Sequence, residues 1–172
     1  MSIFTAIDFE TADYGRDSAC AVGLARVENG KIVRTAHRLI RPPRREIIFT
    51  YIHEITWEQV EGEPLFGEVW PGLAPFFGGI EFIVAHNAPF DKGVLNACCA
   101  AAGLQPPPQP FVCTVKLSKL ELGLKPATLA HVAHHLSIPL NHHNALSDAE
   151  ACAKIMIAVE QVRADKAAAG LN

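Results

Sequence analysis

No apolar run in this chain approaches the roughly 20 residues that a bilayer-crossing helix needs. The opening MSIFTAIDFE lacks a basic n-region and a small-residue cleavage site, so it does not read as a secretory signal. The expected location is cytoplasmic, with no membrane association. No Cys-x-x-Cys pair occurs among the five cysteines, and Cys98 and Cys99 are adjacent. That spacing fits neither a disulfide framework nor a zinc ribbon, and it leaves reduced, mostly buried thiols as the expectation. There is no phosphate-binding P-loop and no Gly-x-Ser-x-Gly elbow, so NTPase and serine-hydrolase chemistry have no support. An excess of basic residues is also missing, since the net charge is −3. A protein that only coats nucleic acid is usually basic. Carboxylates that hold divalent cations become electropositive once loaded, however, so the charge does not exclude a nucleic-acid enzyme.

What is present suits one globular domain: 172 residues, 49% hydrophobic and 19% charged, without internal repeat or long linker. Ile3 to Phe9 reads as a buried strand. Ala19 to Val27 and Lys31 to Ile40 read as two more, joined at Glu28-Asn29-Gly30, where Asn-Gly signals a tight hairpin. Arg41-Pro42-Pro43 ends the third strand. Phe66 to Phe77 has a helical pattern, interrupted or restarted near Pro71. Ile80 to Ala85 is a short strand, and Pro89 to Ala102 a helix with Gly103 beyond its end. Gln105 to Pro110 is a proline-rich loop. A short strand over Phe111 to Val115 follows, with helices over Leu117 to Leu122, Thr128 to Leu136, and Ser147 to about Lys166. A meander followed by alternating helices and strands implies an α/β architecture with a mixed sheet. Periodicity does not fix the strand order.

Four carboxylates stand out. Asp8 and Glu10 are two apart on the first strand, so both point to one face and Phe9 to the other. Like charges in an apolar strand repel, and divalent cations are a direct compensation; the plainer alternative is a strand that ends at Ile7 with both groups solvated. Asp91 falls in the first turn of a helix, where a carboxylate also simply complements the helix dipole. Asp148 opens the last helix, with Ser147 and Glu150 at capping-box spacing. His143, five residues before Asp148, has an ordinary pKa near neutrality and is a candidate proton acceptor.

Taken together, DFET at 8–11, HNAPFD at 86–91 and HNALSD at 143–148 resemble the three motifs of the DEDDh (DnaQ-like) exonucleases, a family similar to polymerase proofreading subunits, RNase T and oligoribonuclease. Asp8, Glu10 and Thr11 match the first motif, Asp91 the second, and His143, Ala145 and Asp148 the third. The resemblance covers nearly the whole chain, with residues 1–166 as the exonuclease domain and 167–172 as a short tail. YIHEIT is similar to the His-Gly-Ile-Thr segment beside the terminal nucleotide, and CTVKLSK to a Cys/Asp-Thr-Leu helix start. Glu54 departs from the usual glycine, and Asn144 from the common aspartate; Asn144 is expected to be peripheral to the chemistry.

The resemblance implies an RNase H-like mixed sheet, an antiparallel meander followed by parallel strands, flanked by helices. It implies two divalent ions, Mg²⁺ or Mn²⁺, and release of nucleoside 5′-monophosphates from a 3′ end. On that reading Asp8 bridges both ions, Glu10 and Asp148 complete the site of the attacking water, and Asp91 holds the second ion. His143 takes the proton. Phe9, Ile55 and Phe90, with Trp57, are candidates for stacking on bases, and Thr11 for the terminal 3′-hydroxyl. Arg38, Arg41, Arg44 and Arg45 are candidates for phosphate contact or a solvated edge. The expected partner is a single-stranded or frayed 3′ end, with a homodimer or a polymerase or repair partner left open. DNA and RNA are not separated by this sequence. A binding module without chemistry is the rival, against which the complete set of five residues argues. A zinc-binding reading rests on His131, His134, His135, His142 and His143, which lack paired Cys/His knuckles.

Overall fold

The computed structural model describes residues 1–170. Its sheet has the strand order β3-β2-β1-β4-β5. β1 (Phe4–Thr11) pairs antiparallel with β2 (Ala19–Glu28), which pairs antiparallel with β3 (Lys31–Leu39). On its other side β1 pairs parallel with β4 (Phe82–Ala85), and β4 with β5 (Phe111–Cys113). This is the expected mixed sheet, with the first strand at its centre. The β2–β3 turn is the expected two-residue one: Asn29 and Gly30 both have positive φ, 52° and 71°, as a hairpin of that length requires.

Seven α-helices complete the described chain: α1 (Thr50–His53), α2 (Trp57–Val60), α3 (Phe66–Leu73), α4 (Ala88–Ala101), α5 (Thr114–Glu121), α6 (Leu129–His135) and α7 (Ala145–Ala168). The two shortest, α1 and α2, have no counterpart in the sequence reading. At four residues each they carry too little periodicity to be seen. The break expected near Pro71 falls later, where a 3₁₀ turn over Ala74–Phe77 follows α3. Pro71 itself stays in the helix on its exposed side, away from the buried stripe Phe66, Val69, Trp70 and Leu73. α7 runs to Ala168, past the boundary placed at residue 166. Of the tail assigned to 167–172, residues 171–172 lie outside the described residues.

The two faces of the sheet are packed differently. Ile7 and Phe9 of β1, with Val22 and Leu24 of β2, meet α3 and α4 in the larger core, alongside Trp70, Phe76, Phe77, Val94 and Leu95. Phe4 and Ala6 face the other way, onto Cys152, Ala153 and Met156 of α7. By strand alternation Asp8 and Glu10 continue this second face. The residues where α7 crosses the sheet are small: Gly23 and Ala25 below, Ala145, Ala149, Cys152 and Ala153 above. A Cβ on Gly23 would lie 2.0 Å from the Ala145 carbonyl oxygen. Gly23 is also the β2 partner of Asp8. The start of α7 thus lands on bare backbone directly beside Asp8, which no side chain would permit.

Candidate active site

β1 continues two residues beyond the expected Phe9, so Glu10 and Thr11 are part of the strand rather than its solvated end. Glu10 is 9% exposed, and Asp8 is half-buried. α7 brings in Asp148, 3% exposed. One oxygen each of Asp8, Glu10 and Asp148 lie within 4.8 Å of one another. Asp91, 1% exposed in the first turn of α4, accepts a hydrogen bond at 3.1 Å from the backbone N–H of Phe9, between the two β1 carboxylates. Residues from three distant stretches of chain therefore converge at the C-terminal end of the central strand.

The helix start differs from the sequence expectation. α7 begins at Ala145, not Ser147, and its N-cap is Asn144, whose side chain accepts from the Ser147 N–H at 3.1 Å. The Ser147 hydroxyl accepts instead from the Asn141 N–H at 2.8 Å. With Asn144 at the cap and the Ser147 hydroxyl engaged by Asn141, the Ser147–Glu150 capping box does not form. Asp148 sits one turn into the helix as a result. Its Oδ2 accepts from the His143 backbone N–H at 3.1 Å and lies 2.8 Å from Nδ1 of His142. Oδ1 of Asp148 is buried without a hydrogen-bond partner.

The electrostatics follow from this crowding. Burial, then the neighbouring carboxylates, push Glu10 up to about 8. Burial raises Asp8 well above the ordinary carboxylate range, reinforced by Asp91, Glu10 and Asp148. Asp91 and Asp148 are also raised, chiefly by burial, against the bonds from Phe9 and from His142 and His143 respectively. All four carboxyls thus resist ionisation without a positive partner. The hard oxygens of Asp8, Glu10 and Asp148, one of them orphaned and buried, with Asp91 against the backbone between Asp8 and Glu10, fit a hard divalent cation. His143 stands at the rim, exposed, with φ 69°. Burial and the neighbouring His142 hold its pKa below the usual imidazole value.

Beside the carboxylates a cleft of about 200 Å³ is lined by Phe9, Glu10, Thr11, Phe49, Ile52, His53 and Phe90. Thr11, Phe9 and Phe90, three of the candidate substrate contacts, line it. Ile55 is not among the lining residues; Phe49 and Ile52 occupy that side. The sequence reading also passed over His53. It is buried, its Nε2 lies 3.1 Å from the Thr11 carbonyl oxygen, and its Nδ1 accepts from the Ile55 N–H at 3.1 Å. Its place inside YIHEIT was the available signal. Trp57 lies outside the cleft; its indole N–H donates to Glu61 at 2.9 Å and Arg45 sits over its ring. Arg44 is bound to Asp13 and Asp17, both at 2.6 Å, and so is held by carboxylates rather than facing the cleft. His86, which opens the HNAPFD motif, was given no role there; its ring bridges Thr114 Oγ1 at 2.9 Å and the Ala127 carbonyl at 3.0 Å, tying the turn between β4 and α4 to the start of α5 and to the loop before α6. Burial lowers its pKa to about 4, which suits a neutral strut.

Comparison with known proteins places this arrangement. Residues 5–156 match the exonuclease family model named for RNase T. The PolC-type DNA polymerase III of Clostridium perfringens is 33% identical over 159 residues, covering 89% of this chain but 11% of the polymerase. Exodeoxyribonuclease 10 of Escherichia coli K12 is 33% identical over 138 residues, 76% of this chain and 57% of that protein. The chain therefore spans little more than half of one relative and about a ninth of the other. A solved structure of exonuclease X in complex with 5′-overhanging duplex DNA superposes with a TM-score of 0.75 at 28% identity, covering 94% of this chain and 93% of that one. Members of the family depend on divalent metal ions. With this family model matched over most of its length, the chain belongs to the DnaQ-like exonuclease family of the DEDDh type.

Proposed function

We propose that the chain hydrolyses the terminal phosphodiester bond at a nucleic-acid 3′ end and releases nucleoside 5′-monophosphates, acting on single-stranded or frayed DNA. The observation that carries this is the convergence of Asp8, Glu10, Asp91 and Asp148 in one buried cluster that resists ionisation without cations. These four residues hold two divalent ions, Mg²⁺ or Mn²⁺, in this reading. When bound, the ions supply charge relief at the phosphoryl oxygens and at both the attacking and leaving oxygens. The chain's own residues do the rest. His143, neutral at pH 7, takes the proton from the attacking water. Thr11 and its backbone bind the terminal 3′-hydroxyl, while Phe9, Phe90 and the neighbouring Ile52 receive the last base in the apolar cleft. The cleft is small, about 200 Å³, and on this reading a paired end frays to enter it. Ile55 contributes through the loop that it shares with His53.

DNA is preferred because exodeoxyribonuclease 10 and the PolC-type polymerase are DNA enzymes by name. The competing reading is an exoribonuclease on short RNA. The five unpaired cysteines suit a reducing compartment, and we place the enzyme in the cytoplasm. No helix among the described residues is long and apolar enough to cross a membrane. A homodimer or a polymerase or repair partner remains a further proposal, supported by the relative in which a homologous stretch is part of a polymerase. The test is direct: oligonucleotides of DNA and of RNA, labelled at either end, are digested with Mg²⁺ or Mn²⁺. A 3′ label released at once as a 5′-mononucleotide, faster from DNA, is expected. Release from the 5′ end, or 3′-monophosphate products, would refute the reading; faster RNA decay would transfer it to RNA.

A further inference from the structure

The close pair of His142 and Asp148 plays no part in the chemistry above. Asp148 faces two sets of ligands. On one side are Asp8 and Glu10, an all-oxygen group; on the other are His142 and His143, and one ligand atom each of His142, His143 and Asp148 also lie within 4.8 Å of one another. We propose that His142, His143 and Asp148 form a second metal site, for a borderline transition ion of the Zn²⁺ class. Because it shares Asp148 with the carboxylate cluster, filling it switches the nuclease off. The binding claim stands on geometry alone; the regulatory claim rests on the exonuclease reading.

Four observations support the site. Two imidazoles and a carboxylate are a zinc-type donor set, whereas Mg²⁺ and Ca²⁺ select oxygen. The spacing is right: Zn–N and Zn–O bonds of about 2.0–2.2 Å at a tetrahedral angle put ligand atoms roughly 3.3 Å apart. His142 Nδ1 and Asp148 Oδ2 are now 2.8 Å apart, so they need to part only slightly to admit an ion. The histidines are pre-arranged, since the positive φ of His143 turns its ring alongside that of His142, with centroids 3.9 Å apart and planes 17° from parallel. Finally the site is reachable. Both imidazoles are exposed and line a small polar recess with Asn141, Asn144 and Glu54. The carboxylate is anchored on the most extensive helix of the fold, and its second oxygen has no partner, so Asp148 is free to serve an ion on either side. The other histidines do not compete. His37, His131, His134 and His135 belong to neither group, and the rings of His53 and His86 are engaged by backbone and hydroxyl groups.

Occupation of this site takes from the reaction the two groups it shares with it, Asp148 and the His143 imidazole. Inhibition by Zn²⁺ in the presence of excess Mg²⁺ follows. The test titrates Zn²⁺ alone into the metal-free full chain by calorimetry, and separately measures nucleotide release in saturating Mg²⁺ against added Zn²⁺. The variants are His142→Gln, which keeps a hydrogen-bond donor for Asp148 but removes the imidazole, and Asp8→Asn. Losing a direct ligand weakens binding by about tenfold or more. We expect that loss in His142→Gln, with the same shift in the inhibition midpoint and a Mg²⁺-supported rate within about twofold of the parent. Asp8→Asn should retain the Zn²⁺ binding that His142→Gln loses. Circular dichroism checks that each variant folds, with His142→Asn as the substitute if glutamine is not tolerated. Equal Zn²⁺ affinity in parent and His142→Gln, or no stoichiometric binding to either, would overturn the site. Binding lost without any change in inhibition would overturn the switch. If the protein degrades no nucleic acid, the calorimetry still decides the site, so failure of the exonuclease reading is told apart from failure of this one.

Discussion

Four carboxyls pressed together at the ends of β1, α4 and α7 are costly to ionise, and that cost sets the pH behaviour of single residues. The folded pKa of Asp8 and Glu10 is raised, so their contribution to stability is fully present below the ordinary carboxylate range. It is lost as pH rises, through about 8 for Glu10. Asp8→Asn removes one repelling charge. In metal-free protein we expect the variant to melt above the parent, by on the order of 5 °C at pH 8.5, with a smaller gap at pH 6. Saturating Mg²⁺ should reverse the order. A gap that shrinks with rising pH would contradict the crowding argument. His143 is a different kind of residue, exposed and outside the carboxylate cluster. His143→Ala should lower turnover by about 10²–10⁴-fold while calorimetry finds Mg²⁺ affinity nearly unchanged. Full activity of that variant across pH 6–9 would remove its role as base. In the sequence, strand alternation pointed at Asp8 and Glu10, and motif order added Asp91, His143 and Asp148. His53 had a local signal in YIHEIT, whereas nothing local separates His142 from the other histidines; only the folded turn puts each against Thr11 or Asp148.

At the scale of elements, the site depends on how closely α7 approaches the sheet. Gly23→Ala forces its methyl against the backbone of Ala145. Overpacking of this kind costs about 1–3 kcal/mol, so the melting temperature should fall by roughly 5 °C, and nucleotide release should fall more than tenfold because Asp148 moves with the helix. An unchanged rate would mean that the approach is not critical. A glycine inside an otherwise regular strand was a readable sign of close backbone approach, although its partner was not. Glu54 makes the opposite point. It departs from the family glycine, and it sits at the C-cap of α1 with φ 62°. A left-handed non-glycine residue costs about 1–2 kcal/mol, so Glu54→Gly should stabilise the fold, net of the extra freedom of the unfolded chain. A lower melting temperature in that variant would show that the Glu54 side chain is anchored in a way that the backbone geometry does not reveal. Long elements were read to within a few residues. The short α1 and α2, and the true cap of α7, were not, because four-residue helices have no period and Asn144 and Ser147 are both good caps whose choice is made by Asn141.

For the molecule as a whole, the central strand was visible as the most apolar opening segment, but the order β3-β2-β1-β4-β5 was beyond periodicity, because two parallel pairings join residues some 30 to 80 positions apart. The three motifs implied an RNase H-like mixed sheet and a common site, since they must meet in space to make one, but not this order. Their meeting at the end of β1 is the central claim, and one measurement tests it most directly. A 5′-labelled oligonucleotide with a 3′ overhang is incubated with the protein in Mg²⁺, in Mn²⁺ and in EDTA, beside Asp8→Ala. The account expects a ladder shortening one nucleotide at a time, dependent on the metal and abolished in the variant. A folded, metal-loaded protein that leaves the label at full length, or a ladder that survives in Asp8→Ala, would contradict it.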